Sequence, residues 1–378
     1  MSEQNVMDQT KNDDCLIRCR DWTSSNNALF VALDDKNGIC EINNDGSVVL
    51  LGHYPSKHMG QHDLSWTSLI LENHVYFSPF AADHIADLDI EKRAITYHQI
   101  DKPICEGLFG YDVNRKFFKV IGKDNKIFFC GWTYPAILEL DLDTGKMNYI
   151  TEWIGMIRNK KIGYSAYFSD GVALYNSYIV LPLAFTDGLL KYNTDYNSFE
   201  YQSLNSGYDG IWGGTVVAGD YYFSGVGNNI NYICKFRIDT GVLNRIEAPE
   251  NVFGNSTIRS FGRRLFVLCE NAIIYMYEID DNKWSVIRSR ANDREYLSTI
   301  KCSDKDDYIY SMNYTYGCLE KINYKSGTID RMEYRINDDR FISQSHNEYV
   351  ESVFEKSKEE PIKEGDISLR DFIKVLGS

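Results

Sequence analysis

LELDLDTGKMNY, residues 138–149, reads as an apolar strand, a short polar turn and a second apolar strand. Asp143-Thr144-Gly145 can close such a hairpin because Gly tolerates the positive φ that the turn requires. The same arrangement recurs as CEINNDGSVVLL from Cys40, ADLDIEKRAITY from Ala86 and LKYNTDYNSFEY from Leu190. CKFRIDTGVLNR from Cys234, MYEIDDNKWSVI from Met276 and EKINYKSGTIDR from Glu320 complete the set. The first apolar residue after the turn falls at Val48, Ile95, Met147, Phe199, Leu243, Trp284 and Ile329, at spacings of 47, 52, 52, 44, 41 and 45. Seven units of this period predict an all-β chain, a seven-bladed β-propeller with four-stranded antiparallel blades.

The rest of each unit fits that plan. Asn197 and Asn282 hold the turn position taken elsewhere by Gly, and Asn is the next most tolerant residue there. Arg93 breaks the pattern, so its turn is expected to be longer or differently shaped. Apolar runs such as Ile127-Phe128-Phe129 and Tyr221-Tyr222-Phe223 suit strands covered on both faces by neighbouring blades. Inner strands are expected at Thr67–Leu71, Phe118–Ile121, Gly171–Leu174, Thr215–Val217, Thr257–Ser260 and Ser298–Lys301, with Leu16–Cys19 the candidate for the first unit. The propeller then spans 15–336, after a polar segment, 1–14. A tail, 337–378, carries helix-like stripes at Tyr349, Val350, Val353 and Phe354, and at Leu369, Phe372, Ile373 and Leu376.

Tyr277 and Trp284 stand seven residues apart across their hairpin, and Leu88/Ile95, Leu140/Met147, Tyr192/Phe199, Phe236/Leu243 and Ile322/Ile329 keep the same register. In this the chain resembles bacterial kelch-type β-propellers, although their Gly-Gly is missing from nearly every unit. The Asp-x-Thr-Gly turns are similar to those of quinoprotein-type blades. The resemblance covers roughly residues 15 to 336 and implies a propeller. Propellers of this kind include enzymes, sugar-handling proteins and protein-binding adaptors, so it leaves function open.

Composition removes several classes. With 27 Tyr, 19 Phe, 6 Trp and 43% hydrophobic residues the chain can bury a core. A net charge of −14 disfavours a phosphate backbone or an anionic membrane as partner. No apolar run reaches the length needed to span a bilayer, and Met1–Asp14 lacks the features of a signal peptide. A cytoplasmic protein is expected. Nine cysteines without a Cys-x-x-Cys pair do not suggest a disulfide framework, and most lie in apolar runs as small hydrophobes.

Candidate functional residues cluster in the loops of one mouth. The loops between second and third strands carry Phe80 and Asp83, then Trp132 and Tyr134, then Phe185 and Asp187, then Tyr314 and Tyr316. Flat aromatic faces beside acidic and hydroxyl groups suit sugars or peptide side chains. Gly110-Tyr111-Asp112 and Gly207-Tyr208-Asp209 recur before inner strands, and the latter runs on to Trp212-Gly213-Gly214, where glycines would let backbone approach a ligand. Six of seven histidines lie between His53 and His98. His58, His62 and His84, with Asp209, are the candidates for acid–base or metal chemistry, although their spacing matches no metal signature. No nucleophile elbow, P-loop or zinc-protease motif is present, and no motif names a cofactor. Two readings follow: a non-catalytic propeller binding a protein or glycan partner at an aromatic mouth, or a lyase, hydrolase or isomerase acting on a carbohydrate or small metabolite.

Overall fold

The computed structural model describes residues 16–25, 28–55, 63–160, 165–227, 230–249, 255–289, 295–302 and 307–336. They form seven four-stranded sheets, each antiparallel and ordered as in the sequence. The blades span 22–52, 65–99, 117–150, 173–203, 210–247, 257–288 and 297–333. First strands of successive blades lie against one another around a channel. The second and third strands supply most of the buried apolar side chains between blades, as in the cluster of Val75, Phe77, Ala86 and Leu88 against Phe30 and Ile39. The one helix among the described residues, α1 (Trp153–Ile157), buries Trp153 between blades three and four. The tail expected to be helical, 337–378, lies outside the described residues.

The hairpins explain the period and correct one expectation. A left-handed residue stands in each outer turn of blades two to seven: Arg93, Gly145, Asn197, Gly241, Asn282 and Gly327, with φ between 50° and 73°. Arg93 thus adopts the same turn as its counterparts. The strain of a left-handed arginine is about 1 kcal/mol, and two contacts hold the turn. Asp89 accepts the Lys92 N–H at 3.0 Å, and the Arg93 guanidinium pairs with Glu41 of blade one at 2.7 Å. The odd turn is that of blade one, where Gly46 donates to the Asn43 carbonyl only three residues back.

The first inner strand also differs from expectation. It is Trp22–Ser25, not Leu16–Cys19. Leu16 instead bridges to Arg335, and the Ile17 N–H donates to the Tyr334 carbonyl at 3.1 Å, so the start of the described chain clasps blade seven and closes the ring. These apolar residues pair with a partner more than 300 positions away, which no local pattern can announce.

Four inner strands carry a β-bulge. Trp66 and Thr67 fall within the shift of blade two, Trp212 and Gly213 within that of blade five, and Ser298 and Thr299 within that of blade seven. In blade three the register shifts at Phe118. A bulge re-aims side chains and increases local twist, and here it does so beside the channel. Opposite the bulges of blades two and five, buried Ser78 and Ser224 donate across the blade boundary, to the carbonyls of Phe117 and Ser256. A separate buried ionic cluster, Arg288 with Glu295 and Glu320, ties blade six to blade seven.

Candidate functional site: the channel and its mouth

All seven blades reach the central channel, whose cavity measures about 210 Å³. Its wall carries two unlike sets of side chains. Trp66 of blade two, Phe118 of blade three and Trp212 of blade five line the cavity, and Phe80 and Trp132 pack against them from behind. Ring centroids lie 4.6 Å apart for Trp66–Phe80, 5.0 Å for Trp66–Phe118 and 4.6 Å for the stacked Phe118–Trp132 pair. Trp212 meets Trp132 edge-on at 5.5 Å. Phe80, Phe118 and Trp132 are buried, whereas Trp66 and Trp212 keep part of their surface open.

The second set is polar. Lys301 of blade seven pairs with Asp21 at 2.8 Å, and Asp21 also accepts the Ser68 N–H at 2.9 Å. Asp170, just before the inner strand of blade four, receives two cations on one oxygen: Lys119 Nζ at 3.0 Å and Arg259 Nη2 at 2.8 Å. Burial alone would raise the Asp170 carboxyl, but Arg259 and Lys119 outweigh it and hold the group well below the usual carboxylate range. Lys119 is pushed down from its ordinary value by burial and by the neighbouring Arg259. Their side chains remain 18% and 23% exposed, so both still face the cavity.

At the rim, Arg20 is caged. Its guanidinium lies 4.6 Å from the Trp66 ring, 4.8 Å from Tyr314 and 5.8 Å from Tyr296. Its Nε contacts Asp34 at 3.2 Å and Asp63 at 3.0 Å. Burial, reinforced by the adjacent Asp63, pushes Asp34 up to about 8 despite Arg20, so this pair of carboxyls carries less than its full charge at neutral pH.

The residues singled out from sequence are placed as follows. Trp212 lines the cavity, Phe80 and Trp132 belong to the buried aromatic cluster behind it, and Tyr314 joins through Arg20. Tyr134 and Phe185 are fully buried between blades, Tyr134 stacking on Phe117 at 4.7 Å. Tyr316 is partly exposed with Arg331 over its ring. Asp83 neutralises the buried Lys116 at 3.0 Å. Asp187 accepts the hydroxyl and N–H of Ser206, each at 2.7 Å, and fixes the loop into blade five. Asp112 accepts the Asn114 N–H within its own turn. His84 is buried in the third strand of blade two, with its ring edge toward Tyr97, while Asp209 is exposed three blades on. His58 and His62 lie outside the described residues, and no metal-binding group of His, Cys, Asp or Glu occurs among the described ones.

Two glycines act on the fold rather than on a ligand. A Cβ on Gly213 would lie 2.1 Å from the Ser256 carbonyl of the next blade, and one on Gly214 would strike the Tyr221 ring at 2.2 Å. Residues not singled out from sequence are the inner-strand cations. Lys119 in Phe117-Phe118-Lys119-Val120-Ile121, Arg259 in Thr257-Ile258-Arg259-Ser260 and Lys301 in Thr299-Ile300-Lys301-Cys302 are lone cations among uncharged inner-strand residues, and that recurrence was the available signal.

No protein-family model matches the chain, and no curated protein matches it. Solved structures do. Virginiamycin B lyase from Staphylococcus aureus superposes with a TM-score of 0.62 at 15% identity, over 83% of this chain and 96% of the lyase. A chain of the mitotic checkpoint complex gives 0.58 at 10% identity, over 86% and 88% of the two chains. PorZ, a surface component of the type-IX secretion system of Porphyromonas gingivalis, gives 0.57 at 12% identity, over 86% of this chain and 39% of PorZ. At these identities the likeness is one of fold: a seven-bladed propeller.

Proposed function

We propose that this protein is a binding propeller that receives an anchor group of a protein partner in the mouth of its channel. The observation that carries the reading is the mixed aromatic and charged wall around a small cavity. Pockets for whole small molecules run to roughly 300 to 1,000 Å³. The 210 Å³ here suits one side chain or terminus of a larger partner. Part-open tryptophan faces supply apolar contact at low entropic cost, and the polar set supplies donors that fix orientation. A propeller fold shared with a chain of the mitotic checkpoint complex is in keeping with a partner-binding role. The test is a peptide array and a glycan array, each probed with the wild-type protein and a Trp66→Ala, Trp212→Ala double variant. Peptide binding that disappears in the variant is expected. Binding confined to glycans, or unchanged in the variant, would replace the reading.

A second reading is an enzyme using His58, His62, His84 and Asp209. What favours it is the overlap with virginiamycin B lyase, a catalytically inactive histidine-to-alanine variant of which has been solved with quinupristin. The four described histidines, His53, His74, His84 and His98, belong to blades one and two and none lines the channel. Metal analysis of the purified protein decides the metal form of this reading. Stoichiometric metal that vanishes in His58→Ala and His62→Ala would promote it above the first.

A further inference from the structure

The cavity wall carries more positive than negative charge, in a chain of net charge −14. Its cations are Arg20, Lys119, Arg259 and Lys301; its acids are Asp21, Asp170 and Glu270. The imbalance is local. Lys301 is matched by Asp21, and Arg20 by Asp34 and Asp63 behind the rim. Glu270 is exposed and hydrogen-bonded by Asn255. Lys119 and Arg259 share the single carboxylate of Asp170, both on the same oxygen.

Among the described residues two cations thus crowd one carboxylate oxygen at the cavity wall, an arrangement that an incoming anion would relieve. Lys119 uses one of its three N–H donors on Asp170, and Arg259 adds one bond to the Ile258 carbonyl. Donors therefore remain for an incoming group. The aromatic wall supplies the second part of the recognition, since Phe118 precedes Lys119 in the same strand and Trp66 and Trp212 stand at its sides.

Resting on the binding reading above, we infer that the anchor is a carboxylate joined to a flat apolar group, its charge between Lys119 and Arg259 and its ring against Trp66, Phe118 and Trp212. In a protein partner this is an aromatic residue beside an acidic side chain, or an aromatic residue at a free C-terminus. A cationic anchor is disfavoured by the four cations of the wall.

The probes are N-acetylphenylalanine and its amide, followed by tryptophan fluorescence of the whole protein. The acid should bind about tenfold or more tightly than the amide, the effect of one charge-assisted pair. Added sodium chloride should erode that preference. Lys119→Met should abolish it, and it leaves Asp170 paired with Arg259, so no buried carboxylate is orphaned. Asp170→Asn, nearly isosteric, should tighten binding of the acid, a change of sign that a merely structural role would not give. Thermal melts establish that each variant is folded. Phenylalanine-ended peptides with free C-termini, set against amidated peptides carrying an internal Phe-Glu pair, separate the two sources of the carboxylate. Equal binding of acid and amide, lost in Trp212→Ala, would sink the charge inference and leave the binding reading standing. If neither probe binds, both fall.

Discussion

Two clusters of buried charge differ in one respect that separates structure from recognition. At the boundary of blades six and seven, Arg288 reaches Glu320 and Glu295 at 2.6 Å each, and Asn313 donates to both glutamates. The side chains of Arg288, Glu295 and Glu320 are 1%, 0% and 0% exposed, and Arg331 closes the cluster from outside. The cations and acids match, and the three central side chains are closed off from solvent. In the channel, two cations meet one carboxylate and both keep a face to the cavity. A saturated network has its effect on stability, whereas an unsaturated one at a cavity wall has capacity left for a ligand.

The largest effect that would test this contrast is in the saturated cluster. Arg288→Met leaves two buried carboxylates to Asn313 and the half-exposed Arg331 and should cost about 3 kcal/mol, read as a fall in the urea midpoint. A loss below about 1 kcal/mol would mean that water reaches these glutamates and that the two clusters are alike.

A smaller effect is expected from Asp170→Asn, roughly 1 to 3 kcal/mol at neutral pH, with a distinctive pH signature. The folded carboxyl lies below its unfolded value, so its contribution is present above pH about 4 and is lost as the pH falls through the folded value. The variant should therefore lose less stability than wild type on acidification below that point. Parallel acid limbs in urea titrations would remove Asp170 from the argument.

Glu270→Gln should be nearly silent for stability, within about 0.5 kcal/mol, because the residue is exposed. It should still raise affinity for the acidic probe by removing one negative charge from the wall. An unchanged affinity would confine the effective field to Lys119 and Arg259.

The two regions also differ in how far the sequence discloses them. Blade number and hairpin register were legible because the outer turns of blades two to seven repeat the same offset between the opening residue and a left-handed one, as from Asp141 to Gly145. Arg93 looked like an exception only because its partner, Glu41, lies on another blade. Trp132 and Trp212 were recognisable as candidates from their loops. Tyr134 was grouped with them, although its ring packs into the blade interface two residues further on. Lys119 read as a break in an apolar strand. Whether such a side chain turns inward depends on a bulge at Phe118, and on Asp170 arriving from another blade. Neither is written in the strand itself.

The clasp between Leu16–Ile17 and Tyr334–Arg335 sets the order in which the ring can be completed. At ordinary synthesis rates the second half of that clasp leaves the ribosome roughly 16 to 64 s after the first. Throughout that interval the growing arc has two unjoined ends, each offering a blade face with no neighbour. An edge without a neighbour can be met by another nascent copy before its own last blade has been made. The seam that completes the ring is thus also the point at which two chains translated side by side would exchange blades.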